Sequence, residues 1–337
     1  MTTEQNQSAQ LHPLQQAMAE VIGKHLVGTA DWDTPIQNLL FFRREEPTEP
    51  DFCLIEPSVV LVVQGTKQMQ IGGEAFPYNT SNFLITSLDL PATSQVLEAS
   101  GEKPCLGLVL KLDIRILAEL IAQGILPHSS ERSCGKSVGL GTMTPAIMEP
   151  FKRLLYLLDE PGSISVLAPL IQREIHYRLL LSDRAALLRQ ITSVDSQSHR
   201  IAKAIDWLKV NYASPLRIDY LAALVQMSAP TFHHHFRQLT AKSPLQYQKW
   251  LRLSEAKRLM LNEHLDASSA AYQVGYESPS QFNREYSRLY GMAPRRDIEN
   301  LRQRAGEDGI WSSAPTSGPA PAPQHRRAAP QDRRRSP

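Results

Sequence analysis

Two sets of polar side chains, fifty residues apart, carry the chemistry of this chain. Thr231, His233, His234 and Arg237 form the first; Ser280, Gln281, Asn283, Arg284 and Arg288 form the second. Each set shares its register with an apolar stripe: Phe232, Phe236 and Leu239 in one, Phe282, Tyr286 and Leu289 in the other. Apolar residues at i, i+4 and i+7 line one face of a helix, so burying the stripe turns the polar set outward. Hydroxyls, imidazoles, amides and guanidinia hydrogen-bond base edges and phosphates. Asn and Gln suit adenine; Arg suits guanine or phosphate.

The run His233-His234-His235 also invites a metal. Consecutive helical residues point about 100° apart, so three in a row do not converge on one ion. Donation to bases or phosphates is the better use of these rings.

The elements that must position these side chains repeat as well. Each polar helix follows a shorter one: about 218–225, the turn Gln226-Met227-Ser228, then 229–240; and about 267–274, a turn at Gly275, then 279–290. Gly275 is expected to supply the positive φ of its turn. Each copy closes on a proline, in Lys242-Ser243-Pro244 and in Met292-Ala293-Pro294. Helix, tight turn and helix make the helix-turn-helix unit, whose second helix fits the DNA major groove. Between the copies, 244–261 has the pattern of one long amphipathic helix (Tyr247, Trp250, Leu251, Ala256, Leu259). Such a helix would hold two recognition helices about 34 Å apart, at successive major grooves.

Charge agrees with this placement. Residues 1–197 hold 15 Lys/Arg against 22 Asp/Glu, a balance of −7, and residues 198–304 hold 16 against 9, a balance of +7. The formal total is +2. A basic block beside an acidic one points to a polyanion partner for the basic block alone.

The rest of the 337 residues reads as a second domain plus tails. Residues 1–10 look disordered, and 11–27 has helical spacing (Leu14, Met18, Val21, Ile22). From about 36 to 112, short apolar runs such as Val59-Val60-Leu61-Val62-Val63 alternate with turn signals, the texture of an antiparallel sheet closing into a barrel or sandwich. A hairpin is expected at Gly72-Gly73. Asp113 is the expected cap of a helix to Gln123, and 124–145 reads as a loop. Helices follow at 146–158 and 166–181. Their apolar surface (Leu154, Leu155, Leu158, Leu167, Leu170, Ile171, Ile175, Leu179) is read in part as a self-association face, packing on the barrel being the alternative. Residues 182–198 connect the domains, and Ser198 is the expected cap of a helix with Ile201, Ile205 and Leu208 inward. Residues 305–337, ending in Pro, Ala, Ser and Arg, read as a disordered tail.

No run of about 18 apolar residues suggests a membrane span, and the N-terminus has no signal-peptide pattern. Cys53, Cys105 and Cys134 are widely spaced and odd in number, which suits a reducing cytoplasm. Cys53 and Cys105 are expected to be buried; thiol sensing, at Cys53 above all, is the alternative.

Residues 198–300 resemble the AraC/XylS family of transcription regulators. The resemblance rests on Ser-Ala-Pro-Thr-Phe (228–232), Ser-Pro-Leu-Gln-Tyr (243–247), Leu-Arg-Leu-Ser-Glu-Ala-Lys-Arg-Leu-Met-Leu (251–261) and Ala-Ala-Tyr-Gln-Val-Gly-Tyr-Glu-Ser-Pro-Ser-Gln-Phe-Asn-Arg-Glu-Tyr (270–286). The chain departs from the family at Gln226 and Ala241, where Gly is usual. Residues 36–190 are similar to the cupin-like N-terminal domain of one subgroup, through Phe-Phe-Arg-Arg-Glu-Glu-Pro-Thr-Glu-Pro (41–50), Glu-Pro-Ser-Val-Val-Leu-Val-Val-Gln-Gly (56–65), Ser-Leu-Asp-Leu-Pro (87–91) and Leu-Ala-Pro-Leu-Ile-Gln-Arg-Glu (167–174).

The resemblance implies an α+β chain. Its parts are an N-terminal arm (1–35), a cupin-like β-barrel with flanking helices that senses a small molecule and dimerises (36–190), and an all-α DNA-binding domain of two helix-turn-helix units (198–304; units 218–240 and 267–290). The expected function is a sequence-specific, effector-controlled, cytoplasmic transcription regulator. Its expected partners are double-stranded DNA, an unidentified small-molecule effector, a second copy of the chain and RNA polymerase; no cofactor, metal or membrane is expected. The rival is a cupin-type enzyme fused to a DNA anchor. Against it, residues 36–127 contain no histidine, and metallocupins need several.

Overall fold

The computed structural model describes residues 3–124, 136–193 and 196–308. In chain order the elements are α1 (Thr3–His25), β1 (Ala30–Asp33), β2 (Leu39–Arg44), β3 (Asp51–Ile55), β4 (Ser58–Gln64), β5 (Thr66–Ile71), β6 (Glu74–Tyr78), β7 (Asn82–Thr86), β8 (Leu90–Glu98), β9 (Cys105–Lys111), α2 (Ile114–Ala122), β10 (Val138–Thr142), α3 (Pro145–Tyr156), α4 (Ile164–Leu180), α5 (Ala185–Thr192), α6 (Gln197–Asn211), α7 (Ile218–Leu224), α8 (Ala229–Thr240), α9 (Pro244–Asn262), α10 (Ala267–Gln273), α11 (Pro279–Tyr290) and α12 (Pro294–Asp308). Two short 3-10 turns join α3 to α4.

The strands pair antiparallel into two sheets, ordered β1-β2-β9-β4-β7-β10 and β3-β8-β5-β6. The expected barrel takes the form of two facing sheets, a cupin-like jelly roll. β4 is buried along almost its whole length: β9 and β7 flank it within the sheet and α1 packs against it. Its β-branched run suits that buried position. The hairpin at Gly72-Gly73 forms as expected, pairing Ile71 with Glu74 and Lys67 with Tyr78. Asp113 caps α2, its Oδ1 accepting from Arg115 N at 2.9 Å and Ile116 N at 3.4 Å.

Several expectations need correction. Residues 3–10 are helical, as the first turns of α1. The segment 124–145 contains a strand, β10, paired along β7 from Val138–Thr86 to Thr142–Asn82; its two glycines weaken the local strand pattern, and pairing with β7 supplies what the pattern lacks. The expected tail begins as helix, since residues 305–308 end α12; residues 125–135, with Cys134, and 309–337 lie outside the described residues. Ser196, not Ser198, caps α6, accepting from His199 N at 3.0 Å; Ser198 is buried in the first turn. The proposed self-association face divides in two. Leu154, Leu155, Ile175 and Leu179 are wholly buried, where α3 and α4 pack on each other and α3 on α1, whereas Val166 and Leu170 are 65% and 61% exposed.

One continuous apolar core runs from the sheets through α3–α6 into α7, α8 and the first half of α9, while a second core holds the rest of α9 with α10–α12. Polar contacts join the sheet region to the helices. Lys209 Nζ of α6 reaches Asp89 Oδ1 at 2.7 Å, and Tyr247 OH of α9 donates to Asp89 O at 2.9 Å. Ser137 donates to the Leu239 carbonyl. The β5–β6 turn approaches α8 so closely that a Cβ on Gly72 would lie 2.1 Å from Ala241 Cβ. Phe52 of β3 meets Tyr290 edge-on at 5.5 Å.

Candidate nucleic-acid interface

The two helix-turn-helix units are built alike. Ser228 and Ser278 are the caps of α8 and α11, each hydroxyl accepting from the backbone N–H three residues on, in Thr231 and Gln281. A proline in the first turn follows each cap, where its missing N–H leaves no acceptor unpaired. Inside, Phe232, Phe236 and Tyr247 stack edge to face with centroids 5.5 Å apart. In the second unit Phe282 meets Tyr276 at 5.4 Å and Tyr286 at 5.5 Å. Tyr286 OH is buried and donates to Asp297 Oδ2 at 2.7 Å, fixing α11 against α12; burial and this bond push the phenol far above its ordinary value.

The turns differ in strain. Gly275 has φ +88°, and a Cβ there would sit 2.1 Å from the Ala213 carbonyl oxygen, so no other residue fits. The first unit has side chains in the same left-handed region, Gln226 at φ 55° and Ala241 at φ 57°. These are the two positions where the family usually has glycine, and an L side chain there costs about 1–2 kcal/mol.

Thr231, His233, His234 and Arg237 are all exposed on α8, and Ser280, Gln281, Asn283, Arg284 and Arg288 are all exposed on α11. His235 is half-buried and turned toward Gln238, so the three histidines do spread around the helix. Among the described residues no group of three His, Cys, Asp or Glu could hold a metal ion.

Other basic side chains nearby are engaged. Arg258 pairs with Glu255 and Glu263, Arg295 with Glu299, Lys257 with Asp297 and Lys249 with Glu285. Arg237, Arg284 and Arg288 have no ion pair among the described residues, and their charge is available to an outside anion. That combination of free guanidinium and outward amide is what a phosphate-and-base contact surface requires.

Two residues that hold this surface have no signal in helical periodicity. Arg252 donates from Nε to Tyr212 O at 2.7 Å, from Nη1 to Gly275 O at 2.9 Å, and from Nη2 to Ala213 O at 3.1 Å and Ser214 O at 3.0 Å. It ties the C-terminal end of α6 to the second turn, and its charge suits the negative end of a helix. Glu285 accepts from Lys249 Nζ at 2.6 Å, Tyr276 OH at 2.8 Å and Gln281 Nε2 at 3.2 Å.

A second set of groups lies where the two sheets meet. Lys67 Nζ of the four-stranded sheet lies 4.0 Å from the centroid of the Phe42 ring in the other sheet. Tyr78, paired with Lys67 across the hairpin, has a buried hydroxyl without a hydrogen-bond partner among the described residues. Burial lowers the Lys67 ammonium from its ordinary value, with Arg44 adding to the effect. Burial also pushes the Cys53 thiol up to about 12, with Asp51 adding, and raises Cys105. Cys105 is buried as expected, whereas Cys53 is half-buried; a thiol that stays protonated is a poor nucleophile. Lys67, Cys53 and Val109 nevertheless keep some accessible surface.

Comparison with known proteins follows the same division. The family described as "AraC-type transcriptional regulator N-terminus" matches residues 35–187, and "Helix-turn-helix domain" matches 221–299. The putative HTH-type transcriptional regulator YneL of Escherichia coli is 72% identical over 36 residues, covering 11% of this chain and 61% of that protein. The HTH-type transcriptional activator RhaS of Klebsiella pneumoniae is 24% identical over 188 residues, 55% of this chain and 63% of the relative. The thermoregulatory protein LcrF of Yersinia pestis is 22% identical over 252 residues, covering 73% and 91%. The chain spans 50% to 63% of the length of the first three relatives it matches. Among solved structures, ToxT of Vibrio cholerae shares the fold. An apo variant aligns with a TM-score of 0.53 at 10% identity, covering 79% of this chain and 98% of that one. The form with bound unsaturated fatty acid gives 0.50 at 11% identity, covering 77% and 93%. With the N-terminal sheet region matching one half of the architecture and the paired helix-turn-helix units the other, both halves of the chain are similar to AraC-type transcription regulators.

Proposed function

We propose that this protein is a sequence-specific DNA-binding transcription regulator whose N-terminal region senses a small molecule. The observation that carries the reading is the pair of exposed polar helix faces with unpaired Arg237, Arg284 and Arg288. Thr231, His233, His234 and Arg237 contact one major groove in this reading, and Ser280, Gln281, Asn283, Arg284 and Arg288 contact the next. The division is an arm to residue 35, a sensor over 36–190 and a DNA-binding domain over 198–304. The effector enters where the two sheets meet, and there Lys67 offers an amine among apolar walls. The bound fatty acid of ToxT supports an apolar ligand with an acidic group, which a buried ammonium would match. No catalytic role is assigned: the inward groups are protonated thiols, a phenol and an amine, with no histidine over 36–127. The remaining helix surface at Val166, Leu167 and Leu170 serves self-association, placing two chains on repeated half-sites. As a DNA reader, the chain acts in the cytoplasm, with RNA polymerase as its partner on promoters.

Footprinting on the DNA flanking its own gene tests this. A protected region with major-groove contacts spaced one turn apart is expected, with affinity falling steeply with salt. Absence of any salt-dependent binding by the folded chain would refute the reading.

A further inference from the structure

Gln281 is one of two amides on the outward face of α11, and its orientation is set from inside the protein. Its Nε2 lies 3.2 Å from Glu285 Oε1, one helical turn away. Glu285 is itself held by two other elements: Lys249 Nζ of α9 at 2.6 Å and Tyr276 OH of the turn at 2.8 Å. These donors keep its carboxyl below the ordinary range, outweighing its partial burial. An ionised carboxylate accepts hydrogen bonds and donates none. Only the nitrogen end of the Gln281 amide can face it, so the carbonyl Oε1 is turned outward.

The direction of that amide decides which base it suits. With Oε1 outward and one Nε2 hydrogen still free, the side chain can accept from adenine N6 and donate to adenine N7. Guanine presents two acceptors at the same edge, O6 and N7, and would meet the outward carbonyl with an acceptor. An unanchored glutamine can flip and offer its NH2 group to guanine. An anchored one must first break its bond to Glu285. We propose that Glu285 is a positioning residue that makes Gln281 select adenine over guanine. The inference rests on the reading of α11 as a base-contacting helix.

The test uses the full-length chain and selection of binding sites from duplexes of random sequence. Wild type is compared with Gln281→Ala, Glu285→Met and Glu285→Leu, with far-ultraviolet circular dichroism as the check on folding. In wild type, one position of the site prefers adenine over guanine by roughly 5- to 150-fold, the range of one good bidentate base contact. Gln281→Ala identifies that position by abolishing the preference there. Both Glu285 variants lack an acceptor for Gln281 Nε2 and reduce it to the same level while preferences at all other positions persist; Glu285→Leu carries the test where Glu285→Met does not fold. A retained adenine preference in a folded Glu285 variant, beside its loss in Gln281→Ala, overturns the proposal. So does a parallel loss at every position, or unfolding of both variants, which would make Glu285 a structural strut. If Gln281→Ala leaves every preference intact, the assignment of Gln281 to base contact fails instead, and the inference with it.

Discussion

Gly275→Ala should be among the most damaging single-methyl changes in the DNA-binding domain. Its cost has two parts. At φ +88° an alanine enters the left-handed region, at about 1–2 kcal/mol. Its Cβ would also lie 2.1 Å from Ala213 O and 2.8 Å from Ala213 C. Those are backbone atoms, and they cannot swing aside. Arg252 holds the carbonyls of Tyr212, Ala213 and Ser214, and Gln248 holds those of Tyr212 and Ser214. Overpacking of that kind adds about 1–3 kcal/mol, for a total of about 2–5 kcal/mol. Gly291 provides the control. Its φ is +79° at the end of α11, yet nothing lies within 4 Å of its would-be Cβ, so Gly291→Ala should cost only the backbone part, about 1–2 kcal/mol. Equilibrium urea unfolding of the full chain compares the two directly. The Gly275 variant should unfold at clearly lower urea and bind operator DNA more weakly, because Arg252 also holds the Gly275 carbonyl at 2.9 Å and α11 follows that turn. Equal unfolding midpoints for the two variants would refute the reasoning, since the contact with Ala213 would then carry no cost.

Ala241→Gly should stabilise the chain by about 1 kcal/mol by relieving a left-handed side chain; a drop in melting temperature would show that packing of the Ala241 methyl against Gly72 matters more. Arg284→Ala should lose roughly 1–3 kcal/mol of binding and relax preference at one base, whereas Arg288→Ala should weaken all sequences alike; sequence-blind losses for both in competition gel shifts would defeat the base-reading role of Arg284. Lys67→Met should raise the melting temperature at neutral pH and abolish response to effector. Because burial lowers the Lys67 pKa, wild type gains stability as pH rises from the lowered value toward the ordinary 10.5, so the variant's advantage should shrink over that window; an advantage constant with pH would exclude the buried charge as its cause. Val166→Asp with Leu170→Asp should give folded monomers in sedimentation, while Leu154→Asp should unfold the chain because Leu154 is wholly buried; a wild type already monomeric at micromolar concentration would remove the self-association proposal.

Local chemistry determined much of this protein by itself. The stripes of α8 and α11 are encoded at i, i+4 and i+7, so the helices and the outward sets could be read without any distant partner. The positive φ of Gly275 and the hairpin at Gly72-Gly73 are likewise short-range, set by which residues tolerate a left-handed backbone. Tertiary structure decided wherever the partner is far along the chain. β10 has two glycines in five residues and becomes a strand only because β7 offers it a ladder. Leu154 and Val166 look equally apolar in sequence, but α1 and α4 cover one and leave the other in solvent. Arg252 and Glu285 gain their meaning from carbonyls, an amine and a phenol that lie 9 to 40 residues away. The contact of Asp89 with Lys209 and Tyr247 spans 120 and 158 residues. Periodicity reports which face of an element is buried. It holds no information on which distant element does the burying, because that depends on how the sheets and helices pack together.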